Sequence, residues 1–325
     1  MENTVIYALG AVGALYLGTQ ALKFAYTVVN AYVIPGKPLK AFGVTRGSWA
    51  IVTGASDGLG KEFSLQLAGS GVNVLLVARN ASKLSTVEKE ITEKNGAANV
   101  RTHVIDFANA GDAEYDAFAK VVGQLDNVRM LVNNVGTNHE FPVEFLDENG
   151  KTIEDIVNVN INAQMRVTRI VAPLLVANKK GLILNIGSLA GIVPSGLLSV
   201  YSASKSFLRF WSDALAMELK PKGVHVEHIR AFFVVSAMSK IRKPTWTTPT
   251  AKNFVKAVLK NVGKSIDSAP YPSHAILSWF IETFMSESFA IKESNKMHID
   301  IRKRALKKKE REAAAAAASA GKKEL

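Results

Sequence analysis

Six short apolar runs recur along the middle of this chain, each followed by a stretch of helical character. This alternation restricts the fold more than any other feature. The runs are Trp49–Thr53, Val72–Val77, Val100–Ile105, Met130–Val132, Leu182–Ile186 and Val224–Ile229. Apolar runs this short and continuous read as strands buried on both faces. Strands joined through helices lie parallel, because each crossover returns the chain to the same end of the sheet. The expected fold class is therefore α/β: a doubly wound parallel sheet covered by helices on both faces.

The flanks differ from this middle. Val5–Leu22 is uncharged, and apolar character resumes after Lys23 from Phe24 to Ile34. Such a run is long enough to span a bilayer. A cleaved signal peptide would open on a basic region and end on a small-residue cleavage site. The start here is Met1-Glu2-Asn3-Thr4, which favours an uncleaved transmembrane helix. Lys37, Lys40 and Arg46 follow the anchor while Glu2 precedes it, so the positive-inside rule puts the body in the cytosol. The absence of cysteine agrees with that side and excludes disulfides, thiolate metal sites and a cysteine nucleophile. Pro35-Gly36-Lys37-Pro38 reads as a linker. The expected organisation is 1–44 anchor and linker, 45–268 catalytic α/β domain, and 269–325 a membrane-associated segment with a basic C-terminal tail.

The formal net charge is +12, and two blocks carry the excess: Lys240–Lys264 with seven basic and no acidic residues, and Lys292–Leu325 with eleven basic against five acidic. Blocks of this kind suit anionic partners, either a phosphorylated substrate or lipid headgroups. No RNA- or DNA-binding motif is visible, so no nucleic-acid partner is expected. The six histidines show no ligand spacing, and no metal is expected. Ala275–Ile281 is apolar but too short to span a membrane, and is read as interfacial or re-entrant, with a core helix as the alternative. The chain ends Lys322-Lys323-Glu324-Leu325, similar to the cytosolic di-lysine signal for endoplasmic reticulum retention. The alanine run at 313–318 is low-complexity and points to no function.

Chemistry concentrates at the strand ends. After the first strand comes Thr53-Gly54-x-x-x-Gly58-x-Gly60, which opens a helix. Glycine is needed where the backbone turns sharply or approaches a pyrophosphate, and a helix N-terminus holds the anion. Gly54, Ser56, Asp57, Gly58 and Gly60 are the candidate dinucleotide-binding residues of this turn. The second strand ends Ala78-Arg79. A carboxylate there would accept the ribose hydroxyls of NAD, whereas a guanidinium suits a 2′-phosphate, so NADP(H) is the expected cofactor. Asp106 is placed to accept from the adenine amino group, and Asn134 ends the fourth strand in Asn133-Asn134-Val135-Gly136. Tyr201 and Lys205 stand four apart, which stacks them on one helix face and would let the ammonium lower the tyrosine pKa. Ser188 ends the fifth strand, and with Tyr201 and Lys205 makes a proton-transfer set.

In order and spacing these motifs resemble the short-chain dehydrogenase/reductase family over roughly Ser48–Asp267, which implies a Rossmann-like fold. By this resemblance Asn160 is the fourth catalytic residue, holding a water in a proton relay, with Asn158 and Asn162 nearby. Val234 and Ser236 match positions that contact the nicotinamide. The chain departs from the family at Val135, where alanine is common, and at Arg230–Ser236, which lacks the usual Pro-Gly. The anchor, Gly60-Lys61-Glu62-Phe63, the run Ser236–Pro244 and the di-lysine end resemble the very-long-chain 3-oxoacyl-CoA reductase subgroup of microsomal fatty-acid elongation. That likeness implies NADPH-dependent reduction of a 3-oxoacyl-CoA to a 3-hydroxyacyl-CoA. It also implies neighbouring elongase, dehydratase and enoyl reductase at the endoplasmic reticulum membrane. Lys240, Arg242 and Lys243 are expected to meet CoA phosphates or lipid. A hydroxysteroid or 3-ketosphinganine reductase is the enzymatic alternative, and a non-catalytic scaffold the alternative of another class.

Overall fold

The computed structural model describes residues 2–94, 96 and 98–321. Its sheet has seven parallel strands in the order β3-β2-β1-β4-β5-β6-β7. They are β1 Trp49–Thr53, β2 Asn73–Ala78, β3 Val100–Val104, β4 Val128–Asn133, β5 Gly181–Ile186, β6 Val224–Ile229 and β7 Asp267–Ser268. The first six match the six apolar runs to within about two residues. The seventh, two residues long, is too short to carry a periodic signal. It is fastened through Glu227 of β6, a fully buried carboxylate that accepts from Ser268 Oγ at 2.6 Å and from Gly263 N at 2.7 Å.

Although the strands read as continuous apolar runs, successive residues serve opposite faces. Ala50 and Val52 join one core layer with Val74 and Leu76, while Trp49 and Ile51 join the other with Leu75 and Val77. The first layer is closed by α2 Gly58–Gly69, α3 Ala81–Lys94 and α8 Ala251–Asn261, through Phe63, Leu67, Ile91 and Phe254. The second is closed by α4 Asp112–Gly123, α6 Ala163–Ala177 and α7 Ser199–Leu219, through Phe118, Val167 and Leu219. Each large side chain fully buried here contributes roughly 1.5–3 kcal/mol of transfer free energy. Helix α5, Gly150–Val157, precedes α6. The order of strands reverses between β1 and β4, and a crevice opens there at their carboxyl ends.

Helix α1, Glu2–Tyr32, lies outside this body. The segment Asn3–Tyr32 is long and apolar enough to cross a membrane. At 1.5 Å per residue the 31-residue helix is about 46 Å long, well beyond a hydrocarbon core of about 30 Å. The part after Lys23 is where it meets the domain. Phe24 lies 4.6 Å from the Trp279 ring, and Lys264 Nζ donates to Asn30 O. The segment read as a linker is held as well: Gly36 N donates to Lys260 O at 2.9 Å and Lys37 N to Val262 O at 2.8 Å. A β-carbon at Gly36 would stand 2.4 Å from the Asn261 backbone, so glycine is what allows the close docking.

The tail forms two helices, α9 Pro272–Phe284 and α10 Glu287–Gly321. Helix α9 is turned inside out for a soluble protein. Its buried residues are Ser273, His274 and Ser278, while Phe280 and Phe284 are exposed. Its seat on the domain combines ring packing of His274 against Phe232, Phe254 and Tyr271 with polar contacts, His274 accepting from Phe232 N at 3.5 Å and Arg230 pairing with Glu282. Its exposed aromatic side lies beside α1, where Trp279 meets Phe24. The di-lysine motif, Lys322 and Lys323, lies outside the described residues.

Candidate active site

The cleft begins at the turn after β1. Gly54 and Gly58 have φ of +66° and +55°, a region costly for residues with a β-carbon. At Gly60 a β-carbon would stand 2.1 Å from Gly54 O. Asp57 caps α2 by accepting from Gly58 N at 2.7 Å, and Ser56 and Asp57 both line the cleft. The turn is stapled to β4. Thr53 Oγ1 accepts from Asn134 N and Val135 N, both at 3.0 Å, while Asn134 Nδ2 donates to Thr53 O at 2.9 Å. The Asn134 side chain, expected to bind cofactor, is thus engaged in holding the turn while the residue lines the cavity.

Arg79 is exposed at the rim, and Asp106 lines the cleft with its carboxylate oriented by Asn109 Nδ2 at 2.7 Å. The sequence reading missed a second cation here. Lys83, in the first turn of α3, lines the same cavity and reaches Asp57 at 3.4 Å. Its signal was faint: a lysine four residues after Arg79.

At the other end of the cleft, a π-helical turn at Asn158–Asn162 joins α5 to α6 and aims Asn160 inward, a distortion that recurs at functional sites. Asn160 is fully buried; its Oδ1 accepts from Thr137 N at 2.8 Å, and its Nδ2 donates to Thr137 O at 2.9 Å and Ser204 Oγ at 3.0 Å. Asn158 and Asn162 pair with each other at 2.9 Å, away from this cluster. Ser188 starts a short turn by accepting from Ala190 N at 3.2 Å, and its hydroxyl is hydrogen-bonded to that of Tyr201. Gly187 before it is fixed by packing, since a β-carbon would meet His228 Nε2 at 1.9 Å.

Tyr201 and Lys205 lie in the first turns of α7, both buried. Lys205 Nζ donates to Ile186 O at 3.0 Å and sits 5.8 Å from the Tyr201 ring centroid. The expected lowering of the tyrosine pKa is not what the geometry produces. Burial raises the Tyr201 hydroxyl above its ordinary range, and the bond from Ser188 offsets only part of this. The same burial lowers Lys205 to about 8, because the ammonium is desolvated with a single carbonyl facing it. At neutral pH the pair is therefore a protonated phenol beside an under-solvated cation.

Val234 is buried and Ser236 lines the cleft. The missing Pro-Gly is replaced by a serine-built turn, in which Ser239 Oγ donates to Val234 O at 2.6 Å and Ser239 N donates to Ser236 Oγ at 3.2 Å. Of the three basic residues after it, Lys240 lines the cavity, with its Nζ 2.5 Å from Glu140 O, whereas Arg242 and Lys243 are exposed and off the lining.

The far wall comes from the tail. Ile281 of α9, Met285, and Ala290, Ser294, His298 and Ile301 of α10 line the cavity. Ser294 Oγ is 2.9 Å from Ser195 Oγ, Arg302 donates to Pro142 O at 3.0 Å, and Lys309 pairs with Glu140 at 2.8 Å. Nothing in the sequence pattern tied residues beyond 268 to this cleft. The whole cavity measures about 880 Å³ and runs from the glycine turn past Tyr201 to α10.

These residues fit a nicotinamide dinucleotide. Gly54, Gly58 and Gly60 keep three positions of the turn free of a β-carbon, the N-terminus of α2 faces the cleft through Gly58 and Leu59, and Lys205 has one protein acceptor. The fold and this site define an oxidoreductase of the dinucleotide-binding kind. The pattern of the short chain dehydrogenase family matches residues 48–245, and the chain belongs to that family. It is 43% identical over 316 residues to a very-long-chain 3-oxoacyl-CoA reductase of Aspergillus oryzae, covering 94% of this chain and 91% of the relative. A very-long-chain 3-oxoacyl-CoA reductase of Aspergillus niger is 44% identical over 310 residues, covering 93% and 89%. Among solved structures, a short-chain dehydrogenase from Sphingobium yanoikuyae in complex with NADPH superposes with a TM-score of 0.61 at 25% identity, covering 69% of this chain and 87% of that one.

Proposed function

We propose that the protein is an NADPH-dependent reductase of very-long-chain 3-oxoacyl-CoA, yielding the 3-hydroxyacyl-CoA. The observation that carries this reading is the gathering of Tyr201, Ser188 and Lys205 in the one cavity that the glycine turn opens. NADPH, when bound, supplies the hydride that C3 of the substrate receives. Gly54, Ser56, Asp57, Gly58 and Gly60 would cradle its pyrophosphate, Arg79 with Lys83 its 2′-phosphate, Asp106 its adenine, and Val234 with Ser236 its nicotinamide end. Tyr201 donates its proton to the substrate oxygen as charge develops there, and Ser188 donates a hydrogen bond to the same atom. A tyrosine whose pKa burial has raised suits this direction, since reduction needs an acid in the protonated form. Lys205 holds the nicotinamide ribose, and its ammonium favours transfer of the Tyr201 proton. Asn160 fixes Thr137 and Ser204 around this group and is in this reading a positioning residue.

The family of named relatives supports the acyl-CoA substrate. We place α1 in the endoplasmic reticulum membrane with the domain facing the cytosol, beside the elongase, dehydratase and enoyl reductase of fatty-acid elongation. The basic residues after α1 support that orientation. The test is NADPH oxidation by membranes containing the protein, with 3-oxohexadecanoyl-CoA as substrate. Wild type consumes NADPH and Y201F does not, while NADPH still quenches Y201F fluorescence. Turnover by Y201F, or a preference for a steroid ketone over the acyl-CoA, would overturn the proposal.

A further inference from the structure

The tail forms a third side of the cavity, beyond the groups that reduce the substrate. Along 280–290 the chain alternates between two environments. Phe280, Phe284 and Phe289 are exposed on the outside, while Ile281, Met285 and Ala290 line the cavity within. The partition between the cavity and the outer surface is thus one helix thick. That outer surface adjoins α1 through Trp279 and Phe24, at the part of α1 just past Lys23, where the 31-residue helix outruns a hydrocarbon core. Helix α10 extends the inner lining with Met297 and Ile301. The polar groups among them are accounted for: Ser294 is engaged by Ser195, His298 Nδ1 pairs with Ser294 O at 2.8 Å and burial lowers its pKa, and Glu293 is exposed at the mouth.

We infer that the lobe between α9 and α10 receives the hydrocarbon chain of the substrate and opens toward the bilayer near Met285, so that the chain is threaded from lipid while its thioester end reaches Tyr201. This rests on the acyl-CoA reading and adds to it the route and the residues that measure chain length. A saturated chain finds Ile281, Met285, Met297 and Ile301 as wall. Methionine, unbranched and adaptable, tolerates chains of different length and tilt. The CoA end, being polar, stays at the rim by Lys240.

The chain has no cysteine, so single-cysteine variants report cleanly. Full-length M285C and M297C in membrane vesicles are labelled with a maleimide in the presence of hexadecanoyl-CoA, butanoyl-CoA or CoA alone, with F289C on the outer face as control. Hexadecanoyl-CoA is expected to slow labelling at both sites by at least ~tenfold, the scale on which misfit or fit of an apolar pocket is felt, and to leave F289C unchanged. Butanoyl-CoA and CoA alone are expected to give no protection. Equal labelling with and without the long chain, or equal protection by CoA alone, overturns the inference. In parallel, I301W is expected to lower kcat/KM for 3-oxohexadecanoyl-CoA by at least ~tenfold and that for 3-oxobutanoyl-CoA by less than ~twofold. An equal fall on both substrates means a structural role and overturns the inference too. If no 3-oxoacyl-CoA of any length is reduced by wild type, it is the reductase reading that fails, and the protection pattern still decides whether the lobe holds an acyl chain.

Discussion

Asn160 offers the sharpest quantitative test, because its side chain is fully buried and three hydrogen bonds depend on it. N160A removes the acceptor for Thr137 N and the donor to Thr137 O and Ser204 Oγ, at 2.8, 2.9 and 3.0 Å. The bond to Ser204, whose oxygen stays paired, costs about 1 kcal/mol net, and each partner left unpaired costs about 1–3 kcal/mol, toward the lower end at the half-buried Thr137. Ser204 Oγ keeps its bond to Tyr201 O at 2.7 Å, so the uncompensated partners are the two backbone groups of Thr137. The expected loss is about 4 kcal/mol. At roughly 2–4 °C per kcal/mol for a domain of this size, melting falls on the order of 10 °C. Thermal unfolding in detergent micelles measures it, with S204A, which removes two bonds, the one from Asn160 Nδ2 and the one to Tyr201 O, expected to lose about half as much, about 2 kcal/mol. Because the Thr137 loop borders Lys205 across Gly136, N160A is expected to lower kcat more than it weakens NADPH binding. A melting point within about 2 °C of wild type, with kcat intact, would refute the account of this cluster.

Three further outcomes are expected. R79A is expected to raise the NADPH dissociation constant about tenfold with little change for NADH, and R79A/K83A more; equal loss for both cofactors would remove the 2′-phosphate assignment. NADPH affinity is expected to weaken as pH rises through about 8, where Lys205 loses its proton, and to hold below it. K205M should show no such step. Tyr201, raised by burial, stays protonated across this range, so its own titration adds no break. G60A places a methyl 2.1 Å from Gly54 O, and the turn must open to admit it. Dinucleotide binding, followed by fluorescence titration, is expected to fall by ~tenfold or more, whereas G123A, in open space, leaves it unchanged.

Much of the body was legible in the chain itself. The six main strands, the glycine turn, the cation at the second strand end and the buried Tyr201-Lys205 step are all written in local order and spacing, because each is made by residues close in sequence. Asn160 was singled out by family resemblance alone, and its burial among Thr137 and Ser204 appears only with the π-turn in place. Charge behaviour was not legible. Helical spacing suggested that Lys205 would lower the Tyr201 pKa, but burial is a property of the packed whole, and it raised the phenol and depressed the amine together.

The sequence by itself determined the parallel sheet, its glycine turn and an apolar N-terminal helix long enough to cross a membrane, because period, glycine and hydrophobic length act over a few residues and need no distant partner. Only the tertiary structure decided that Gly36 docks instead of swinging free, that α9 turns its polar face inward, and that α10 walls a cavity built a hundred residues earlier in the chain. Those depend on long-range close approach: Gly36 against Asn261, Ser294 against Ser195, Lys309 against Glu140. A contact between residues so far apart leaves no periodic trace in either segment, so the tail read alone was a basic, membrane-seeking end, and folded it is part of the site.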